Sequence, residues 1–238
     1  MSKILEAMQK SAASGGGGLD QRLQAIDRGN LFPYPDETLA REFEQLAMSL
    51  IHLHDGQSGR VVVFASTNSG EGTSFVSYNC ARIMAMLLER KVAWVDANFA
   101  SPTAKLVGNA LNLKDLLADP DGLPALDAKP ELVVIGNGDP AVKSMNMLNT
   151  ANYERLVKRL EENFYFTIID APPVLAGVEV AHLAQGTMGL VLVVESQRLK
   201  HEVIRHGLEK LNSQGVNVLG TVLNKRAFQL PDFLYRRL

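Results

Sequence analysis

The chain has 238 residues, 46% of them apolar and 21% charged, with a formal net charge of −2. This balance suits one large folded core and excludes binding to nucleic acid or to a membrane surface through bulk basicity. Cys80 is the only cysteine, so no intrachain disulfide forms, and no apolar run approaches the roughly 20 residues needed to cross a bilayer.

Residues 1–35 read as a flexible leader. Its opening, "MSKILEAMQK", puts Ile4, Leu5 and Met8 on one helical face, and "SAASGGGG" follows as a Gly-rich linker. A frayed terminus and a short docking helix on a tether both fit that pattern. No signal peptide opens the chain. The expectation is a cytoplasmic protein that meets a membrane only through a partner.

"FPYPDETLAREFEQLAMSLIHL" then enters a helix, with Asp36 as its cap and Leu39, Phe43, Leu46 and Leu50 as its apolar stripe. From Arg60 onward apolar runs at 61–65, 92–97, 132–136, 166–171, 190–195 and 218–224 alternate with helical segments. Those segments fall at 73–89, about 102–118, 151–162, 178–184 and 201–213. Strands apolar throughout, with helices between them, predict a mostly parallel, doubly wound α/β sheet covered on both faces. One such domain is expected over residues 36–227. Residues 228–238 follow as an amphipathic tail in which Leu230, Phe233, Leu234 and Leu238 interleave with Arg236 and Arg237. The tail reads either as a cap on the core or as a partner-docking helix.

In such a sheet ligands bind at the carboxyl ends of the strands. The stretch "ASTNSGEGTSFVSYNC" (65–80) lies between the first core strand and a helix. Laid against the phosphate-loop pattern G-x-x-x-x-G-K-[ST], it matches at Gly72 and Ser74, has Thr67 for the first glycine and Thr73 for the lysine. Ser69, Gly70, Glu71, Gly72, Thr73 and Ser74 are the candidate phosphate-binding residues. The glycines let backbone N–H groups face an anion, and the helix N-terminus adds partial positive charge. Without the lysine, a plain Gly-rich strand-to-helix turn fits the loop as well. Asp96 and Asp170 close two later strands, and with the Ser74 hydroxyl they form a candidate magnesium shell, largely through water. Asn224 ends the last strand, where an amide reads a base edge or simply makes a turn.

Other residues read more plainly. Cys80 and Trp94 are expected in the core, and His52 and His54 at a helix end. His182, His201 and His206 lack metal-ligand spacing. Glu195, at the end of "LVLVVE", has no evident role beyond facing the site.

"STNSGEGTSFVSYNCA", "VAWVDANFASP", "FTIIDAPPVL", "AHLA", "LVLVVESQ" and "GVNVLGTVLNK" follow one another in an order and spacing that resemble the cytoplasmic domain of bacterial tyrosine kinases. That family lies within the ParA/MinD group of P-loop ATPases and acts in capsule and exopolysaccharide synthesis. Even the leader "MSKILEAMQK" looks like that of some exopolysaccharide-associated members. The resemblance covers about residues 36–227. It implies ATP or ADP with magnesium, with Asp96 and Asp170 at the catalytic centre of an active member. It also implies assembly into a homo-oligomer and a partner: a membrane polysaccharide co-polymerase (chain-length determinant) or another exopolysaccharide-synthesis protein.

The departures concentrate at the chemistry. The family's lysine is Thr73 here, and its D-A-D motif reads "DAN", so Asn98 replaces a carboxylate. The two Arg that usually follow are Ala100 and Ser101. The Glu, Arg and Arg that link subunits into a ring correspond to Arg41, Glu44 and Ala47. The tyrosine-rich tail reduces to "RAFQLPDFLYRRL", with Tyr235 alone. Losing one preorganised stabilising donor costs about 3–4 kcal/mol, on the order of 10²–10³ in rate. The expectation is a degenerate ATP site on a kinase-like regulator or assembly factor. Two rivals remain: an active autokinase that recruits its cation from elsewhere, and a ParA/MinD-like nucleotide switch.

Overall fold

The computed structural model describes residues 31–53, 60–103, 111–123, 132–138 and 150–225. Among the described residues six strands, β1 (Val61–Ser66), β2 (Val92–Asp96), β3 (Leu132–Ile135), β4 (Phe166–Asp170), β5 (Gly189–Glu195) and β6 (Val218–Asn224), pair in the order β3-β2-β4-β1-β5-β6, every neighbour parallel. The helices are α1 (Glu37–Leu53), α2 (Thr73–Leu88), α3 (Leu113–Ala118), α4 (Thr150–Asn163), α5 (Glu179–Ala184) and α6 (His201–Ser213).

Alternation along each strand builds two cores. Val61, Val63 and Ala65 face the layer of α3 to α6, while Val62 and Phe64 face α1 and α2. Central β1, β2 and β4 are buried along their whole length, whereas β6, at the edge, is half-exposed. Every residue of α2 from Val76 to Leu87 is buried, because the sheet covers one side and α1 the other. Cys80 and Trp94 sit in this core, as the sequence predicts. Burial pushes the Cys80 thiol well above its ordinary range.

The first helix begins as expected, Asp36 Oδ1 accepting the Leu39 N–H at 2.9 Å. Of the segment expected to be helical over about 102–118, the described residues 99–103 turn without forming a helix, and α3 starts after Asn112, whose Oδ1 accepts the Asp115 N–H at 2.9 Å. An Asn that caps a helix stands before it, not inside it. Residues 104–110 lie outside the described residues, as do the N-terminal helix and Gly-rich linker, His54, Tyr235 and the 228–238 tail.

The last residues of the expected 1–35 leader contact the folded domain. Leu31, Phe32 and Tyr34 are already packed on α2. The Phe32 ring meets Phe75 and Tyr78 edge-on, each at 5.6 Å, and the Tyr78 hydroxyl accepts the Leu31 N–H at 3.2 Å. Arg82 fastens this segment. Its guanidinium lies 4.4 Å from the Tyr34 ring and 4.7 Å from the Tyr78 ring, and donates to the Phe32 carbonyl at 3.0 Å. Deeper in, Tyr78 meets Trp94 edge-on, and the Trp94 indole N–H donates to Ser77 Oγ at 2.9 Å.

Removing Arg82 therefore costs a charged hydrogen bond (about 1.5–3 kcal/mol) and its ring contacts (about 0.5–2 kcal/mol). Arg82→Ala is expected to lower the unfolding free energy by about 2–4 kcal/mol in urea, and an unchanged midpoint would refute the fastening role.

Candidate nucleotide site

The carboxyl ends of β1, β2, β4, β5 and β6 surround one loop, residues 67–72, which feeds the N-terminus of α2. Two left-handed glycines shape it, Gly70 at φ 85° and Gly72 at φ 90°. Neither site tolerates a side chain. A Cβ on Gly72 would stand 2.2 Å from Asn224 Nδ2, and one on Gly70 would stand 3.0 Å from the Arg198 guanidinium.

Glu71, between them, is fully buried. Its carboxylate accepts the Asn68 N–H at 2.5 Å within the loop and the Glu195 N–H at 3.1 Å from the end of β5. Its own carbonyl accepts Asn224 Nδ2 at 2.8 Å from the end of β6. One residue thus ties the loop to two strands. Val174 and Leu175 tie it to a third, their N–H groups donating to the Ser66 and Thr67 carbonyls at 2.8 and 3.2 Å. Lys210 of α6 holds that segment by donating to the Val174 and Gly177 carbonyls, both at 2.6 Å.

No side chain caps α2, and its first turn carries no acid. The leading N–H groups, which lack partners within a helix, therefore face the loop's mouth with the positive end of the dipole. Thr73, standing where a lysine is expected, is buried, and its hydroxyl has no hydrogen-bond partner.

Asp96 and Asp170 pair in register across β2 and β4 and are both fully buried. Asp96 accepts the Asn98 N–H at 3.1 Å and the Thr103 N–H at 2.7 Å. Neither carboxylate oxygen of Asp170 has a hydrogen-bond partner. Burial first, and then the neighbouring Asp96 charge, push the Asp170 carboxyl well above its ordinary value of 3.8; Ser74 offsets part of that rise without reaching bonding geometry. Two adjacent acids, one with both oxygens orphaned, together with the Ser74 hydroxyl make a donor set that fits a hard divalent cation. Asn98 adds no charge: its Oδ1 accepts the Ser101 N–H at 3.3 Å and closes its own turn.

Sequence reasoning brought Ser69, Gly70, Glu71, Gly72, Thr73, Ser74, Asp96, Asp170 and Asn224 to one edge of the sheet, and the structure places all of them there. Asn224 braces the loop, so its amide already has a partner in Glu71. Arg198 and Lys225 were missed. Lys225 Nζ donates to the Gly70 carbonyl at 2.8 Å and meets Glu195 Oε2 at 3.1 Å; Arg198 Nη1 meets the same oxygen at 2.8 Å. The Arg198 bond, then Lys225, hold the Glu195 carboxyl below its ordinary range. Lys225 directly follows β6 and Arg198 lies in the turn three residues after β5, both on the ligand edge, and that position was the available signal.

Two outcomes follow from this geometry. Glu71→Ala leaves two amide N–H groups without their acceptor, at about 1–3 kcal/mol each, so lower stability and faster hydrogen exchange at residues 68 and 195 are expected. A raised native carboxyl pKa contributes fully below about pH 4 and fades as pH climbs through the native value. Asp170→Asn, in chelator, should therefore stabilise the protein at pH 7 and change little below pH 4; a loss at pH 7 would contradict the buried repulsion.

No family model matches the chain. The tyrosine-protein kinase CpsD of Streptococcus agalactiae is 27% identical over 177 residues, covering 71% of this chain and 77% of CpsD. The kinase domain of the Escherichia coli tyrosine kinase ETK superposes with a TM-score of 0.71 at 22% identity, covering 81% of this chain and 79% of that domain. The MinC:MinD cell division protein complex of Aquifex aeolicus gives 0.55 at 15% identity, with 75% and 72% covered. The chain's homologues are bacterial tyrosine kinases, and it shares its fold with their kinase domain and, more distantly, with ParA/MinD-like proteins.

Proposed function

We propose that this chain carries a nucleotide site without phosphoryl transfer and works as a regulator or assembly factor in bacterial exopolysaccharide synthesis and export. One observation carries the reading. At the positions where the kinase resemblance puts a lysine and a carboxylate stand Thr73, a buried hydroxyl, and Asn98, an amide committed to its own turn. Phosphoryl transfer depends on positioning and charge stabilisation, so losing both groups disables the chemistry more than the binding.

ATP or ADP would be held by the N–H groups of residues 70–74, and magnesium by Ser74, Asp96 and Asp170. The metal supplies the charge that lets two buried carboxylates and a polyphosphate share one site. The protein's own residues shape the loop, through Gly70, Gly72 and Glu71, and orient the metal-binding edge, through the Asp96–Asp170 register. The partner is a membrane polysaccharide co-polymerase or another protein of exopolysaccharide synthesis, reached by association. Among the described residues no helix is long and apolar enough to cross a membrane.

Likeness to MinD supports a second reading, a switch whose output is association. Light scattering separates the two: a mass that doubles with magnesium ATP favours the switch, and equal masses with and without nucleotide favour the regulator.

Thr73→Lys should tighten magnesium ATP binding by about tenfold in calorimetry, since a buried-edge counter-charge is regained. Thr73→Lys with Asn98→Asp should hydrolyse ATP faster than the unaltered chain. An unaltered chain that already matches the double variant would overturn the proposal.

A further inference from the structure

The loop lacks its own lysine, yet two cations lie against it. Lys225 follows β6 in a left-handed conformation, φ 53°, which costs a non-glycine residue energy and turns its side chain back over the loop. Its Cε comes within 3.7 Å of where a Gly72 Cβ would stand, one residue before Thr73. Its amine rests on the Gly70 carbonyl and on Glu195. Arg198 reaches the same place from the turn after β5, with its guanidinium over Gly70. The two cations share one counter-ion, Glu195, while the neighbouring Glu71 carboxylate is buried and takes its bonds from the Asn68 and Glu195 N–H groups. Both basic side chains are about half exposed, 49% for Lys225 and 44% for Arg198, so an incoming anion can reach them.

We propose that Lys225, backed by Arg198, supplies the cation for a nucleoside polyphosphate at the 67–74 loop in place of the side chain that Thr73 lacks. This rests on the nucleotide reading above. A lysine stem is flexible and its amine exchanges partners readily, so the ammonium can pass from the Gly70 carbonyl to a phosphate oxygen without moving the backbone. Glu195 then keeps Arg198 as its partner and is not left bare. The substitution restores affinity but not transfer. Lys225 approaches from the end of β6, whereas Thr73 and Asn98 lie at the β1 and β2 ends.

Calorimetry of the full chain with magnesium ADP tests this, using Lys225→Ala, Lys225→Arg, Arg198→Ala and Thr73→Lys/Lys225→Ala. Lys225→Ala should weaken binding by about tenfold and flatten its dependence on salt, because one phosphate contact is lost. Lys225→Arg should stay close to the unaltered chain, Arg198→Ala should lose a smaller factor, and the double variant should recover the affinity. Equal affinity for the unaltered chain and Lys225→Ala would overturn the role of Lys225 while leaving the nucleotide reading standing. Weakening with an unchanged salt dependence and no recovery in the double variant would make Lys225 a brace alone, and would also overturn it. An unaltered chain that binds no magnesium ADP would overturn the nucleotide reading itself, and this inference with it.

Discussion

A carboxylate sealed from solvent holds the ligand edge of this sheet together. Glu71 accepts one N–H from its own loop and another from the end of β5, and its carbonyl takes the Asn224 amide from β6. An ionised acid is costly to bury unless its oxygens are satisfied, and here the bonds that satisfy it set the loop's shape. The two glycines on either side supply backbone angles that other residues adopt only with strain, and the Asn224 amide crowds the Gly72 position. The loop is thus built from bonds internal to the chain, before any phosphate arrives. This explains how a site can lose its catalytic side chains and keep its form.

The fold was legible because its signal is coarse. Six β-branched runs separated by helical segments leave few arrangements other than a parallel sheet covered on both sides, and all six runs became strands. The strand-end position of Asp96 and Asp170 was equally plain, since a buried strand rarely ends on an acid without a reason. Short-range pattern failed where tertiary contacts decide. Leu31 to Tyr34 read as leader, yet Leu31, Phe32 and Tyr34 pack half-buried against the core, because Arg82, fifty residues from Phe32, is sandwiched between Tyr34 and Tyr78 of α2. Asn112 looks like a helical residue and is a cap. Glu195 looked purposeless in one dimension; in three it is the hinge of a charge triad, since its partners come from a turn three residues on and a strand thirty residues on.

The same triad bears on how a degenerate site stays useful. Thr73 removes a charge at the start of α2, and Asn98 removes one near β2, while Asp96 and Asp170 keep their places and their mutual repulsion. On the proposed reading, what survives is the part that binds: amides, a helix end, two acids and nearby cations. What is missing is the part that stabilises charge on a moving phosphoryl group. On that reading the loop would report nucleotide occupancy to β5, β6 and α2, all of which it touches. Relatives named as tyrosine kinases share the frame, so on the proposed reading loss of transfer would be a change of a few side chains and not of architecture.

The most direct test of that account is mass spectrometry for phosphotyrosine on the purified, unaltered chain after incubation with magnesium ATP. The account predicts that no tyrosine carries phosphate. Phosphotyrosine that accumulates with time, and disappears in Asp96→Ala, would contradict it.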